Sequence, residues 1–435
     1  MKSYLLGLCL VLPSVARADD DAYLLPHPDA RWWLSGQLNV IAQAHDRFTS
    51  PYEGEHSLHH GREGKMSEVA TIYGGVAVTD TTEVLIDLES AGGDGLSSAL
   101  GLAGFTNIDV VRNPTLGRAP YVARAIVVQI IPLSADTIGV ERGPMRAFAR
   151  VPEKRIELRA GKLSTVDTFD LNSAGSDSHL QFMNWTADND GAYDYAADTR
   201  GYTLGAQIEY QEPRWGARFG EMLMPTVANG IDYDYDLADA RGEQLEIEVR
   251  GSVSGRPGVY RGLAFWNHAR MGRYADANAM HVAIEDTRAE GRTKLGFGAN
   301  VEQEIADGAR AFARVGWNDG DNESFAYTEV DDTIELGAAT DGARWSRDDD
   351  RAGAVIISNG LSEGHRDYLA LGQAGFLLGD GALRYGRETI AEAYYTARAY
   401  RGVSPAIDVQ YVVHPGYNVD RGPVLVGGVR LHIEL

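Results

Sequence analysis

The stretch VLVGGVRLHIEL, residues 424–435, decides how the chain is read. Leu425, Gly427, Val429, Leu431, Ile433 and Leu435 fall on one side of an extended chain. Val424, Val426, Gly428, Arg430, His432 and Glu434 fall on the other. Toward its end one face is apolar and the other ionises, the period-two pattern of a strand between a greasy medium and a wet one. A last strand would leave its backbone groups unpaired unless it closed against another. The expected partner is the first such segment, Trp32 to Ala44, which would turn the sheet into a barrel without edges.

Alternation recurs throughout. In WWLSGQLNVIAQA, Leu34, Leu38, Val40 and Ala42 alternate with Ser35, Gln37, Asn39 and Gln43. In EQLEIEVRGSV, Leu245, Ile247 and Val249 oppose Glu246, Glu248 and Arg250, and RAFARVGWN and SPAIDVQYVVH repeat the scheme. About sixteen segments of this kind, most near the ~9–11 residues of a tilted membrane strand, begin around residues 32, 66, 81, 121, 155, 201, 214, 243, 258, 292, 309, 325, 350, 387, 404 and 423. Short turns, such as Glu212-Pro213, Ser254 to Pro257 and Asp307-Gly308, alternate with long polar connections, such as Phe48 to Lys65, Ser90 to Pro120 and Ser164 to Gly201. This asymmetry predicts an all-β transmembrane antiparallel barrel with periplasmic turns and extracellular loops. Ser134 to Lys154 is long on the short-turn side, Asn318 to Ser324 is short on the long side, and Tyr368 to Gly381, lacking alternation, reads as a folded-in loop. Trp32, Trp33, Trp215, Trp317, Tyr400 and Tyr417 stand near strand ends, as lipid-interface girdles require. A soluble β-sandwich would instead place large Leu and Phe residues on one face of shorter strands.

Composition narrows the function. Residues 1–18, MKSYLLGLCLVLPSVARA, have the Lys, apolar run and Ala-x-Ala ending of a secretory signal peptide, which leaves 19–435 as the expected barrel. Cys9 is the only cysteine and lies in that leader, so the mature chain has no thiol for a disulfide, a zinc site or a nucleophile. The formal charge of -22 argues against nucleic acid, whose phosphates need a basic face.

Candidate chemistry is sparse. His56, His59 and His60 are close but have no fixing element for a metal, and Asp232 to Asp239 lacks EF-hand spacing. GGDGLSSALG has no P-loop lysine, and no G-x-S-x-G is present. The reading therefore calls for no cofactor, no metal and no catalytic residue. The inward faces say more: Arg159, Arg218, Arg250, Arg314, Arg398, Asp408 and Gln410, with other acids and amides, would give a water-filled lumen rich in hydrogen-bonding groups. The connection after the fifth segment mixes Phe182, Trp185, Tyr193 and Tyr195 with Asn184, Asp188, Asn189 and Asp190. Aromatic faces with flanking amides and acids suit sugars, and so long a loop would narrow the pore if folded inward.

GKLSTVDTFD, FMNWTADNDGAYDYAADTRGYTLGA with PRWGARFGEMLMP, FAYTEVDDTIELG, HRDYLALGQAGFLLGDG and the run from AYYTARAYRG to the last residue resemble the OprB-like carbohydrate-selective porins. That resemblance implies a 16-stranded outer-membrane barrel for passive uptake of glucose or another small sugar, with an Arg-lined constriction. Alternation nominates Arg159, Arg218, Arg250, Arg314 and Arg398 for that lining, and Trp185, Asn184, Asp188, Asp408 and Gln410 as further pore-lining or substrate-binding residues. Export through the periplasm, the barrel-assembly machinery, outer-membrane lipid and lipopolysaccharide follow as expected partners, with monomer and homotrimer both open. The alternatives are a general non-selective porin, an outer-membrane barrel enzyme hydrolysing lipid or peptide, and a plugged structural barrel.

Overall fold

A computed structural model describes residues 22–110 and 116–435; the leader expected at 1–18 lies outside the described residues. The strands in chain order are β1 (Trp32–His45), β2 (Glu63–Ala77), β3 (Thr82–Gly93), β4 (Tyr121–Pro132), β5 (Thr137–Gly139), β6 (Arg150–Pro152), β7 (Arg155–Leu163), β8 (Thr203–Gln211) and β9 (Trp215–Leu223). They continue as β10 (Arg241–Val253), β11 (Arg256–Met271), β12 (Ala289–Ala306), β13 (Ala309–Asn318), β14 (Asp332–Asp341), β15 (Arg351–Gly360), β16 (Glu388–Thr396), β17 (Val403–Val413) and β18 (Val424–Glu434). Among the described residues three α-helices lie in the connections: α1 (Trp185–Asp188), α2 (Tyr274–Met280) and α3 (Glu363–Ala370).

All strands except β5 and β6 form one closed antiparallel barrel of sixteen, each paired with its neighbours in sequence. The closure joins β1 to β18, in register from Gln37 opposite Glu434 to His45 opposite Val426. No backbone edge is left for water or another chain to pair with, as the bilayer demands. In β18, Leu425, Val429 and Leu431 are 58%, 55% and 41% exposed on the outside, whereas Arg430 and His432 are 2% and 1% exposed inside. The same division runs round the barrel and produces the apolar belt that lipid covers. No helix among the described residues is long and apolar enough to cross a membrane; the strands do the crossing.

The turns between β2 and β3, β8 and β9, β10 and β11, and β12 and β13 are tight. Ser254 and Gly255, at φ 54° and 80°, both take the left-handed region that a two-residue hairpin needs to match the twist of β10 and β11. The other end carries long connections: L1 (46–62), L2 (94–120), L3 (164–202), L4 (224–240), L5 (272–288), L6 (319–331), L7 (361–387) and L8 (414–423).

The structure corrects several expectations. The twelfth segment, β14, begins at Asp332, not near 325. Phe325 and Tyr327 alternate like a strand, but both are buried among the loops, where Phe325 and Ala326 donate their amides to the Asp194 carboxylate at 2.9 Å. The long connection on the turn side folds into the β5–β6 hairpin and covers that mouth: Ala147 and Phe148 donate to Glu83 at 2.8 and 3.2 Å, and Arg142 bonds the carbonyls of Pro28 and Trp32. Trp32, Trp215, Trp317 and Tyr400 are exposed at the rims, but Trp33 and Tyr417 are not girdle residues. Trp33 turns inward onto His27, ring centroids 4.0 Å apart, and Tyr417 is buried with its hydroxyl on the Glu329 carbonyl at 2.8 Å.

Candidate functional site

L3 leaves β7 through a capping box, in which Ser164 and Asp167 satisfy each other's amides, and drops into the lumen. Inward side chains from half the barrel hold it there. Glu246 accepts the amide of Asp170 at 2.7 Å, Glu302 that of Ser173 at 3.1 Å, and Glu392 that of Met183 at 2.6 Å. Arg430 donates to the carbonyls of Ser178 and Gln181, Asn267 to that of Asp194, and Asn318 to that of Ala192. A buried backbone needs every amide and carbonyl paired, and here the wall supplies the partners that water would otherwise provide.

This use of the wall relocates most of the nominated residues. Arg314 is fully buried and clamps L3: it donates to the carbonyls of Ala187 and Asp188 at 2.8 and 3.0 Å, to Ser176 Oγ at 2.6 Å, and faces Asp170 and Glu335 at 3.3 and 3.1 Å. Arg218 bonds the Thr168 carbonyl at 2.7 Å and bridges Glu209 and Glu246. Arg159 pairs with Glu157 at 2.6 Å, and Arg250 with Glu248 at 2.6 Å and the carbonyl of Glu212. Arg398 lies past the end of β16, its amide on Asp350 at 2.9 Å. Asn184 caps α1, donates to Gln410 at 3.0 Å and to the Gly104 carbonyl at 2.8 Å, and Gln410 in turn donates to Asp408 at 3.0 Å. None of these eight lines the cavity described next; only Trp185 and Asp188 do. L3 takes up the hydrogen-bonding groups of Arg218, Arg314 and, through Asn184, Gln410, whereas Arg159 and Arg250 are spent on acids and carbonyls of the wall and its turns.

The cavity, about 440 Å³, lies on the other side of L3, against β1 to β4. Its wall includes Gln37, Tyr73, Glu89, Tyr121 and Arg124; L2 adds Ile108 and Asp109, and L3 adds Asp177, His179, Trp185, Asp188, Asn189, Tyr195 and Tyr202. Trp185 stacks on Tyr327 with centroids 5.8 Å apart and planes at 5°, and donates its ring N–H to the Asn107 carbonyl at 2.7 Å. Glu89 accepts from the hydroxyls of Tyr121 at 2.5 Å and Tyr202 at 3.0 Å. Arg124 makes a two-pronged bond to Asp167 at 2.7 and 2.6 Å and reaches Asp87 at 3.2 Å. Arg200 lies over the Tyr121 ring at 3.7 Å.

Charge in the cavity follows from these contacts. Burial disfavours the His179 cation, but Asp109 at 3.5 Å and Asp177 outweigh it and raise its pKa to about 9. Burial likewise opposes ionisation of Asp109, yet His179 and Asn39 hold its carboxyl below the usual range, so the two form an ion pair between L2 and L3. Burial pushes the Asp188 carboxyl up to about 7 against the pull of Arg314.

Arg124 escapes a reading by alternation for a definite reason. Between β3 and β4 the register shifts, Asp87 facing Arg124 and Leu88 facing Val122, so Ala123 is an extra residue. The bulge re-phases β4, and Tyr121 and Arg124 both line the cavity although three residues apart, an odd separation that puts side chains on opposite faces of a regular strand. The histidines of HSLHH serve as ties: His56 bonds the Gly375 carbonyl at 2.6 Å, joining L1 to L7, and His60 bonds Glu53 at 2.7 Å. Among the described residues no group of His, Cys, Asp and Glu is arranged to hold a metal ion.

A closed sixteen-strand barrel with an apolar belt, long loops at one end and a loop folded into a polar lumen is an outer-membrane channel of the porin class. Residues 88–435 match the carbohydrate-selective porin, OprB family, and the chain belongs to that family. It is an outer-membrane porin for sugar diffusion, a channel and not an enzyme, which sets aside the barrel hydrolase. Among solved structures, Pseudomonas putida OprB at high pH superposes with a TM-score of 0.70 at 13% identity, covering 93% of this chain and 94% of that one. The outer-membrane channel DcaP of Acinetobacter baumannii gives 0.50 at 10% identity, over 93% and 97%. At these identities the likeness speaks for the fold. No curated protein sequence matches the chain.

Proposed function

We propose that sugars are selected in the cavity between L3 and the β1–β4 wall, and that the solutes selected are of monosaccharide size. The observation that carries this is the lining: Trp185, Tyr195 and Tyr327 offer ring faces, while Asp188, Asn189 and Gln37 offer oxygen acceptors within one 440 Å³ space. Rings stack on the C–H face of a pyranose and acceptors meet its hydroxyls. Trp185 and Asp188 keep the substrate-contacting role expected of them, and Arg124 and Glu89 take the place of the five nominated arginines. Arg124 would orient the acids around it, and Glu89 the hydroxyls of Tyr121 and Tyr202.

The apolar belt would meet outer-membrane lipid, with lipopolysaccharide outside, after insertion by the barrel-assembly machinery. The barrel is closed within a single chain, which is compatible with a monomer and with a homotrimer. Liposome swelling across glucose, a disaccharide and a trisaccharide tests the size claim. Glucose should enter fast and the trisaccharide hardly at all; equal rates would make the channel a general porin, and no glucose flux would remove the reading.

A further inference from the structure

The cavity's charges and hydrogen bonds do not balance. Among the described residues, Arg124, His179 and Arg200 are the three cationic side chains on its lining, against six carboxyl groups. Asp167 is neutralised by Arg124, and Asp109 by His179. Asp177 turns toward Arg351 at 3.1 Å. Glu89 takes its hydrogen bonds from Thr71, Tyr121 and Tyr202, none of them cationic. Asp198 is met by the Tyr233 hydroxyl at 2.7 Å and by the backbone amides of Arg200 and Tyr202. Asp188 lines the cavity, its backbone carbonyl accepting from Arg314 and Ser176 and its backbone amide donating to the Asn184 carbonyl.

A second, independent observation concerns amides. Gln37 and Asn189 line the same cavity, are 4% and 1% exposed, and each keeps a side-chain oxygen, Oε1 and Oδ1, with no hydrogen-bond partner. A buried acceptor left without a donor is costly, so such atoms mark where a bound group belongs. Both are acceptors, and Asp188 adds another. Among the described residues, no donor meets either amide oxygen.

We propose that this cavity prefers protonated amino sugars to neutral sugars of the same size and turns away sugar acids. An ammonium on a pyranose offers three donors and no acceptor, matching unspent oxygens, and the Trp185 and Tyr195 rings attract a cation over their faces. A carboxylate on the same ring meets Asp188 and Glu89, and the Arg124 guanidinium is committed to Asp167 and Asp87, which leaves Arg200, over the Tyr121 ring, as the cation it could meet. The inference rests on the sugar-selecting role of this cavity and names the class it selects.

The experiment uses the purified full barrel in a planar bilayer at pH 7 and low salt, where sugar in the pore interrupts the ion current. Glucosamine, glucose and glucuronate are added in turn, three solutes of near-equal size with charge +1, 0 and -1. Glucosamine should half-block at a concentration at least ~10-fold below glucose, with glucuronate weakest, as expected for a cleft in which acids outnumber cations. The Asp188→Asn variant should narrow the gap between glucosamine and glucose. Equal half-blocking concentrations for glucosamine and glucose, with glucose still crossing in liposome swelling, would overturn the amine preference and leave the sugar reading intact. Stronger block by glucuronate would overturn it as well. Absence of block by all three, together with absence of glucose flux, would overturn the sugar reading itself.

Discussion

The Arg314 guanidinium on β13 stands 3.3 Å from the Asp170 carboxylate of L3 while donating to the carbonyls of Ala187 and Asp188 in the same loop. One buried side chain thus joins two separate stretches of L3, at Asp170 and at Ala187-Asp188. Replacing it with Met keeps the volume but leaves Asp170 and Glu335 buried without their cation, a change of about 3–5 kcal/mol for breaking such a group. The barrel, closed by backbone bonds, is expected to survive in Arg314→Met, whereas L3 should loosen. Single-channel recording checks this: conductance should rise and become noisy, and unchanged conductance would mean that L3 does not depend on the clamp.

Leu336 lies mid-strand in β14, opposite Ala313 and Ile356, and is 62% exposed on the lipid face. Leu336→Arg should lower stability in a bilayer by about 2–4 kcal/mol. Tyr400, exposed in the turn after β16, should tolerate Arg at a cost of about 0–1 kcal/mol, because the interface is wet. Urea unfolding in lipid vesicles compares the two; equal losses would contradict the assignment of the belt.

His365 on α3 places Nδ1 3.1 Å from Asp331 and Nε2 3.3 Å from Glu329, beneath the Tyr274 ring of α2. Burial opposes its charge, but these two acids prevail and raise its pKa from 6.5 to about 9. Its contribution to loop stability is therefore complete below pH 6.5 and is lost as pH rises through about 9. Asp331 works in the opposite sense. Burial is outweighed by His365, the carboxyl is lowered from 3.8 to about 2, and its contribution is present above pH 3.8 and lost as pH falls through about 2. The packing of L5, L6 and L7 should be tightest in the interval between, with proteolysis of 363–370 increasing toward pH 10. In His365→Gln that alkaline rise should disappear; its persistence would point to another group.

Trp185 packs on Tyr327 and on Phe105 and ties L3 to L2 through the Asn107 carbonyl. Trp185→Ala removes a stacking face worth about 1 kcal/mol. The half-blocking concentration of glucose should rise roughly fivefold. Circular dichroism of the barrel should stay unchanged, and an unaltered blocking concentration would place the sugar elsewhere in the lumen.

Period-two alternation was enough to read a barrel from this chain, because lipid outside and polar groups inside act on every second residue of every strand. VLVGGVRLHIEL and WWLSGQLNVIAQA each carried that pattern, and their pairing followed once an edge had to be abolished. Where an apolar residue alternates inside a loop, as Phe325 and Tyr327 do, the signal is the same but the surroundings are protein rather than lipid.

The sequence by itself determined which faces meet lipid and water, since that depends only on local chemistry and the two-residue period. Which inward residues remain free for solute was decided by tertiary structure alone. L3 folds back across the lumen and takes up Arg218, Arg314 and Gln410 together with its neighbours, and the bulge at Ala123 turns Arg124 and Tyr121 to one cavity. A hydrogen-bonding group can serve the loop or the solute, and only the path of the loop settles which.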